Sequence, residues 1–218
     1  LTVEVHLWLA FNILRSDSPQ IEKAQEHFEY ILQNHSKTPL TGFTLYELAR
    51  ADFSLGNSNK ALKNLQSTID FYKAQSDIKT SPRKLYKSLF FKGEILSRQG
   101  EYQQAFDTYE QAISLCNDQH EILLALRGRS ADCLFSLASR IKSKEEQTEE
   151  YNKLLTQAIE IYSAIHSNEL CPVGFKAQAI YKKAKCYEML GRKDQSDNDY
   201  LGKAETILRD CFFDHYDK

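Results

Sequence analysis

The sequence predicts an all-α chain built as a stack of about five helix-turn-helix pairs, or about ten helices, and three observations carry that prediction. Breakers are scarce: 8 Gly and 4 Pro in 218 residues are too few for the many turns of a sandwich or barrel, whereas long helices need few. Apolar residues recur at spacings of three and four, the period of one helical face. The chain also resembles itself. LYELARADFSLGNSNKALKNLQSTI from Leu45, LFFKGEILSRQGEYQQAFDTYEQAI from Leu89 and IYKKAKCYEMLGRKDQSDNDYLGKA from Ile180 can be laid over one another, each reading as helix, Gly turn and helix, which is the signature of a repeat array.

The pairs follow in order. The first, about 1–34, is HLWLAFNILR followed by EKAQEHFEYIL, with a turn at Ser16 to Pro19 that reads as a helix start. The second, about 41–74, has Leu45, Leu48 and Ala49 on one face, Gly56 as its stop, and Ala61 and Leu65 opening the next stripe. The third, about 83–116, repeats this with Leu89, Gly93, Leu96, Gly100, Ala105, Tyr109 and Ala112. Thr80, Ser81 and Pro82 precede it, since Ser or Thr satisfies free amides and Pro suits a first helical turn. The fourth, about 119–165, is LLALRGRSADCLFSLA followed by YNKLLTQAIEIY, with the polar run Ile141 to Glu150 between its helices as a helical extension into solvent. The fifth, about 173–213, offers Ile180, Ala184, Tyr187, Gly191, Ser196, Tyr200 and Ala204.

Small residues carry the packing logic. Ala49, Gly93 and Ala184 sit mid-way along first helices, and Ala24, Ala61, Ala105 and Ser196 open second helices; both positions let two backbones cross closely. The intervening Gly takes the left-handed conformation that stops a helix at little cost. On these residues the chain resembles the tetratricopeptide repeat (TPR) superfamily, most closely over LFFKGEILSRQGEYQQAFDTYEQAISL. The resemblance covers nearly the whole chain and implies a single domain over 1–218, a right-handed superhelical solenoid. The intervals exceed the ~34 residues of a minimal repeat, and the surplus falls at Asn34 to Thr41, Ala74 to Arg83, Ile141 to Glu150 and His166 to Gly174. The stretch SKTPLTGFTLYELARADFSLGN, with its Pro shortly before a first helix, is further similar to bacterial envelope-associated TPR proteins. A cytoplasmic regulatory adaptor would read nearly the same.

Composition narrows function. Lys and Arg number 28 against 30 Asp and Glu, a formal net charge of −2, which provides no general attraction to nucleic acid or anionic lipid. No apolar run approaches the ~20 residues that span a bilayer, and Leu1 to Leu14 lacks the basic start of a signal peptide. The initial Leu suggests a fragment or processed form. Cys116, Cys133, Cys171, Cys186 and Cys211 are widely spaced; they read as buried thiols rather than a disulfide framework, which favours reducing, cytoplasmic surroundings, with the bacterial envelope as the alternative.

The resemblance implies a concave face lined by the first helices, binding another protein or peptide. The partner-binding residues expected on it are Tyr46, Glu47, Arg50, Phe91, Glu94, Arg98, Arg129, Tyr181, Lys182 and Lys185, with Phe53, Phe90, Asp132 and Glu188 beside them. Aromatics interleaved with Arg and Lys anchor interfaces, although Phe53 and Phe90 read equally as packing between adjacent pairs. Some relatives clamp a C-terminal carboxylate with fixed Lys and Asn side chains; here Tyr46, Arg50 and Phe91 stand at those places, which disfavours that ligand.

Catalysis has no positive signal: no HExxH, GxSxG, phosphate loop or GxGxxG is present. No metal or other cofactor is expected. Cys211 and His215 are two ligands rather than a site, and DQSDNDY (194–200) lacks the turn Gly and bidentate Glu of a calcium loop. The expected function is a non-catalytic scaffold or adaptor. The alternatives are a self-associating structural module with contacts at Trp8 to Phe11 and Phe212 to Phe213, or the regulatory arm of a larger catalytic or anchored protein.

Overall fold

The structure, a computed structural model, describes residues 2–75, 81–116, 120–141 and 148–193, together with 202, 205, 206 and 209. Among these residues are nine α-helices and no strand: α1 (Val3–Arg15), α2 (Ile21–Asn34), α3 (Thr41–Ser54), α4 (Ser58–Ala74), α5 (Ser81–Gln99), α6 (Tyr102–Ser114), α7 (His120–Arg140), α8 (Thr148–His166) and α9 (Val173–Lys193). Most of the segment expected to form a tenth helix, including Ser196, Tyr200, Ala204, Cys211 and His215, lies outside the described residues. So do most of the polar run after Ile141 and the DQSDNDY segment.

Two compact units divide the chain, Leu1–Ile95 and Leu96–Lys218. In the first, α1 packs on α2, α2 on α3 and α3 on α4. Val3, Leu7 and Ala10 recur every three or four residues on α1, and Ala24, Phe28 and Ile31 do so on α2, so each helix presents one apolar stripe to the other. Ala24, Ala49 and Ala61 are completely buried, and Gly93 is buried too. Small side chains thus occupy fully enclosed positions in the packed faces of these helices. Leu65 and Ile95 complete the cluster around Ala49 and Ala61.

The second unit repeats the arrangement with α6 on α7, α7 on α8 and α8 on α9, plus a lighter contact between the first helices α7 and α9. Its core runs through Leu124, Ala131 and Leu134 of α7, Leu155, Ala158 and Tyr162 of α8, and Ala179, Cys186 and Leu190 of α9. The four described cysteines, Cys116, Cys133, Cys171 and Cys186, are buried and act as small apolar fillers.

Buried polar groups are satisfied either one turn back or across helices. Thr44, Thr68 and Thr108 donate to the carbonyls of Leu40, Asn64 and Gln104 one turn back, at 3.0, 2.8 and 2.7 Å. Asp52, 1% exposed, accepts from Gln25 Nε2 at 2.8 Å and Asn64 Nδ2 at 2.7 Å, which ties α3 to both α2 and α4.

Gly56 and Gly100 both have φ of 81°. At each, two amides fold back on the helix just ended: Gly56 to Phe53 O and Asn57 to Asp52 O, Gly100 to Ser97 O and Glu101 to Leu96 O. An L side chain pays for that left-handed turn, and Gly does not. Gly191 corrects the expected pattern, because α9 continues through it to Lys193. The strong helix formers Arg192 and Lys193 follow it, and one internal Gly, costing about 1 kcal/mol, does not end a helix by itself. The turn at Ser16 to Pro19 differs from expectation as well. Gln20 is the residue before α2 and makes no side-chain cap, while Ser16 Oγ donates to Ile13 O at 2.9 Å and so finishes α1 instead.

Candidate partner-binding site

In the first unit the expected residues come from α3 and α5. Tyr46 and Phe53 lie seven positions apart on α3, two helical turns, so both point the same way, and the ring of Phe91 from α5 meets each edge-on. The centroid separations are 5.9 Å to Tyr46 and 5.5 Å to Phe53. All three rings pack against the Ala49, Ala61, Leu65 and Ile95 cluster while remaining partly exposed. Packing between helices and lining a face are here properties of the same side chains. Burial raises the Tyr46 phenol above its ordinary value, with Arg50 opposing, so the hydroxyl stays a neutral hydrogen-bonding group.

Glu47 is 6% exposed, and its carboxylate accepts from Arg50 Nη1 at 3.0 Å. Burial raises its pKa and the guanidinium pulls back against that shift. Arg50 itself keeps 58% of its side chain exposed. Glu94 is half-buried on α5.

Two recesses meet at the Glu47–Arg50 pair. One, of about 560 Å³, is walled by Phe11, Leu14, Ile21, Phe53 and Phe91, with Arg15 at its edge. The other, of about 450 Å³, is lined by Tyr46 and Tyr72 and by the cations Arg50, Arg83, Lys84 and Lys87. Lys84 Nζ lies 5.6 Å from the Tyr72 ring centre. Phe11 and Leu14 lie outside the expected set because the groove positions of the repeat frame begin with the second pair. Arg83, Lys84 and Lys87 lie outside it because they precede the repeat match at Leu89. The basic run itself, RKLYK, was the available signal.

In the second unit the expected residues are largely engaged with one another. Asp132 of α7 accepts at Oδ1 from Tyr162 of α8 at 2.6 Å and from Lys182 of α9 at 2.5 Å. It therefore joins three helices, as Asp52 does in the first unit. Arg129 lies 3.9 Å from the other Asp132 oxygen. Lys185 pairs with Glu188 at 2.9 Å and sits 5.8 Å from the centre of the Tyr181 ring. Tyr181 is 49% exposed, and Arg98 is exposed near the end of α5.

Among the described residues two thiols and one phenol of this unit shift away from nucleophilic activation. Burial, with the Asp132 charge adding to it, pushes the Cys186 thiol up to about 12, and burial raises Cys171. Tyr162 rises well above the ordinary phenol range, first by burial and then by the adjacent carboxylate. A low thiol or phenol pKa is what activation requires. No group of three or more potential metal ligands occurs among the described residues, and no described helix is long and apolar enough to cross a membrane.

No protein-family model matches this chain, and no curated protein does. Solved structures match it over nearly its full length. TPR-like repeats of a kinesin light chain type from Podosopora anserina cover 97% of this chain and 93% of their own, at 18% identity and a TM-score of 0.63. MamA from Desulfovibrio magneticus RS-1 covers 95% of each chain, at 13% identity and a TM-score of 0.57. The TPR2AB domain of yeast Sti1, solved in complex with pHSP90, covers 98% of this chain and 77% of its own, at 15% identity and a TM-score of 0.52. These likenesses show the fold, an all-α, TPR-like solenoid.

Proposed function

We propose that this protein is a non-catalytic interaction scaffold that binds a peptide or helix of a partner protein on the side chains projecting from its first helices. The observation that supports this most directly is the pair of adjoining recesses on α1, α3 and α5, one aromatic and aliphatic, the other cationic. Large apolar rings beside charged groups are the residue types that dominate interface energetics. The Sti1 domain of the same fold is solved in complex with pHSP90, which supports a partner-binding reading of this architecture. Tyr46, Glu47, Arg50, Phe91 and Glu94 belong to this reading in the first unit, and Arg98, Arg129, Tyr181, Lys182 and Lys185 in the second, within one solenoid domain over 1–218. Lys182 contributes through its fixed place on Asp132, whereas Tyr181 offers a half-exposed ring.

Replacing Tyr46 and Tyr181 together by Ala tests the reading. A folded double variant, with unchanged helical circular dichroism, should lose the partner that the wild-type chain retains in a pull-down. Retained binding sinks the proposal.

Self-association is a second reading, favoured by Trp8 at 65% exposure on α1 and by Leu170 and Val173 at 77% and 63% around the start of α9. Such apolar exposure marks interaction surfaces when contiguous. A sedimentation profile that stays monomeric at high concentration refutes it.

A further inference from the structure

We infer that the face formed by α1, α3 and α5 takes an acidic peptide segment carrying a bulky apolar side chain; this names the partner chemistry of the scaffold reading above and rests on it. Four cations, Arg50, Arg83, Lys84 and Lys87, line the 450 Å³ recess against one carboxylate, Glu47, leaving a formal surplus of three positive charges. The chain as a whole is net acidic, at −2, so the recess runs against its surroundings. Glu47 is moreover buried and already held by Arg50.

The cations on α5 are placed at a cost to the helix. Arg83 and Lys87 are four residues apart on one face, the spacing at which like charges repel. Arg83 and Lys84 stand in the first turn, where α5 has no acidic residue and cations oppose the helix dipole. Among the described residues no carboxylate pairs with Arg83 or Lys87, and both are exposed. An incoming carboxylate relieves both penalties at once. It would find two unpaired donors, the outward edge of the Arg50 guanidinium, and the neutral phenol of Tyr46.

The neighbouring recess distinguishes a peptide from a simple anion. Its walls are Phe11, Leu14, Ile21, Phe53 and Phe91, and its 560 Å³ accommodates an aromatic or large aliphatic side chain. Because both recesses share Glu47 and Arg50, an apolar residue in one and an acid in the other lie within reach of one short segment. Inorganic phosphate fills only the basic half, and the apolar half adds nothing to it.

Panning a displayed library of random linear peptides on the full chain tests the inference. The recovered sequences should place Asp or Glu within a few positions of Phe, Leu or Ile. A synthetic peptide of that consensus should bind less tightly as salt is raised and bind an Arg83→Glu, Lys87→Glu double variant about tenfold more weakly. Both positions are exposed, so circular dichroism of the variant should match the wild type.

Three results would overturn it. An apolar consensus with no acidic bias, still lost on Phe91→Ala, removes the acidic partner and leaves the scaffold reading standing. Competition by inorganic phosphate alone at the affinity of the peptide reduces the site to an anion site. No enrichment of any peptide, or enrichment unchanged by both the charge reversal and Phe91→Ala, removes this inference together with the groove reading on which it rests.

Discussion

Replacing Gly100 by Ala separates two costs that the structure places on one residue, and Gly56→Ala supplies the control. Both glycines end a first helix with φ of 81° and the same pair of backward amide hydrogen bonds. An L residue in this conformation costs about 1–2 kcal/mol, offset by roughly 0.4–1 kcal/mol from the stiffer unfolded chain. A Cβ at Gly56 meets nothing within 4 Å, so Gly56→Ala should destabilise by about 1 kcal/mol through the turn alone. A Cβ at Gly100 overlaps Nη2 of Arg140. That guanidinium donates through Nη1 to Gly100 O at 2.7 Å and lies 4.4 Å from the centre of the Tyr102 ring. Arg140 is an exposed residue, so losing the hydrogen bond costs about 1 kcal/mol and losing the ring contact about 0.5–1 kcal/mol. Gly100→Ala should therefore cost about 2–3 kcal/mol in total. Urea unfolding followed by far-ultraviolet circular dichroism reads the difference, provided the slope is unchanged. In an Arg140→Ala background the overlap is gone, and the added cost of Gly100→Ala should fall to that of Gly56→Ala. If the two glycines cost the same in the wild type, or if Gly100→Ala stays expensive without Arg140, the argument from the guanidinium is wrong.

Other outcomes follow from the same geometry. Tyr162→Phe should cost about 1–2 kcal/mol by removing the buried hydrogen bond to Asp132; Asp132→Ala should cost more, because it leaves the Tyr162 hydroxyl and Lys182 without their acceptor, and the double variant should recover part of that loss, because no buried hydroxyl is then left unsatisfied. A reversed order in thermal unfolding contradicts the three-helix strut. Glu47 titrates above its ordinary value of 4.5 because it is buried, so the folded state holds its proton more tightly than the unfolded state does. Its contribution is fully present below 4.5 and is lost as pH rises through the higher folded value. Glu47→Gln should flatten that part of the melting temperature's pH profile, and an unchanged slope refutes the assignment. His6 has the opposite sign: burial, then the neighbouring His27, lowers it below 6.5, and its Nδ1 lies 2.9 Å from that of His27 while its ring stacks on Tyr30 at 4.1 Å. The stability it supports is present above 6.5 and lost as pH falls through the lower folded value. Fluorescence of Trp8, the one Trp in the chain and a resident of α1, should report earlier unfolding in acid, and His6→Phe should lessen that acid sensitivity; no change from the wild type contradicts the pairing.

The sequence by itself determined the helical class, the repeat frame and the small residues at the crossings. Each of these rests on short-range periodicity: Ala24, Ala61 and Ala105 are completely buried because spacings of three and four along one helix already assign them to the packed face. Gly56 and Gly100 were legible for the same reason, since a left-handed stop is a local event, whereas Gly191 looks identical in sequence and remains helical. The lining of the two recesses was half legible. Tyr46, Arg50 and Phe91 follow from the repeat frame, but the part played by each cation does not, because it depends on which acid a distant helix delivers. Lys182 is fifty positions from Asp132 and is held by it, while Arg83 and Lys87 receive no carboxylate among the described residues. His6 and His27, twenty-one positions apart, likewise carry no joint signal until α1 folds onto α2. Periodicity decides which way a side chain points, and only the packing of separate helices decides what it meets there.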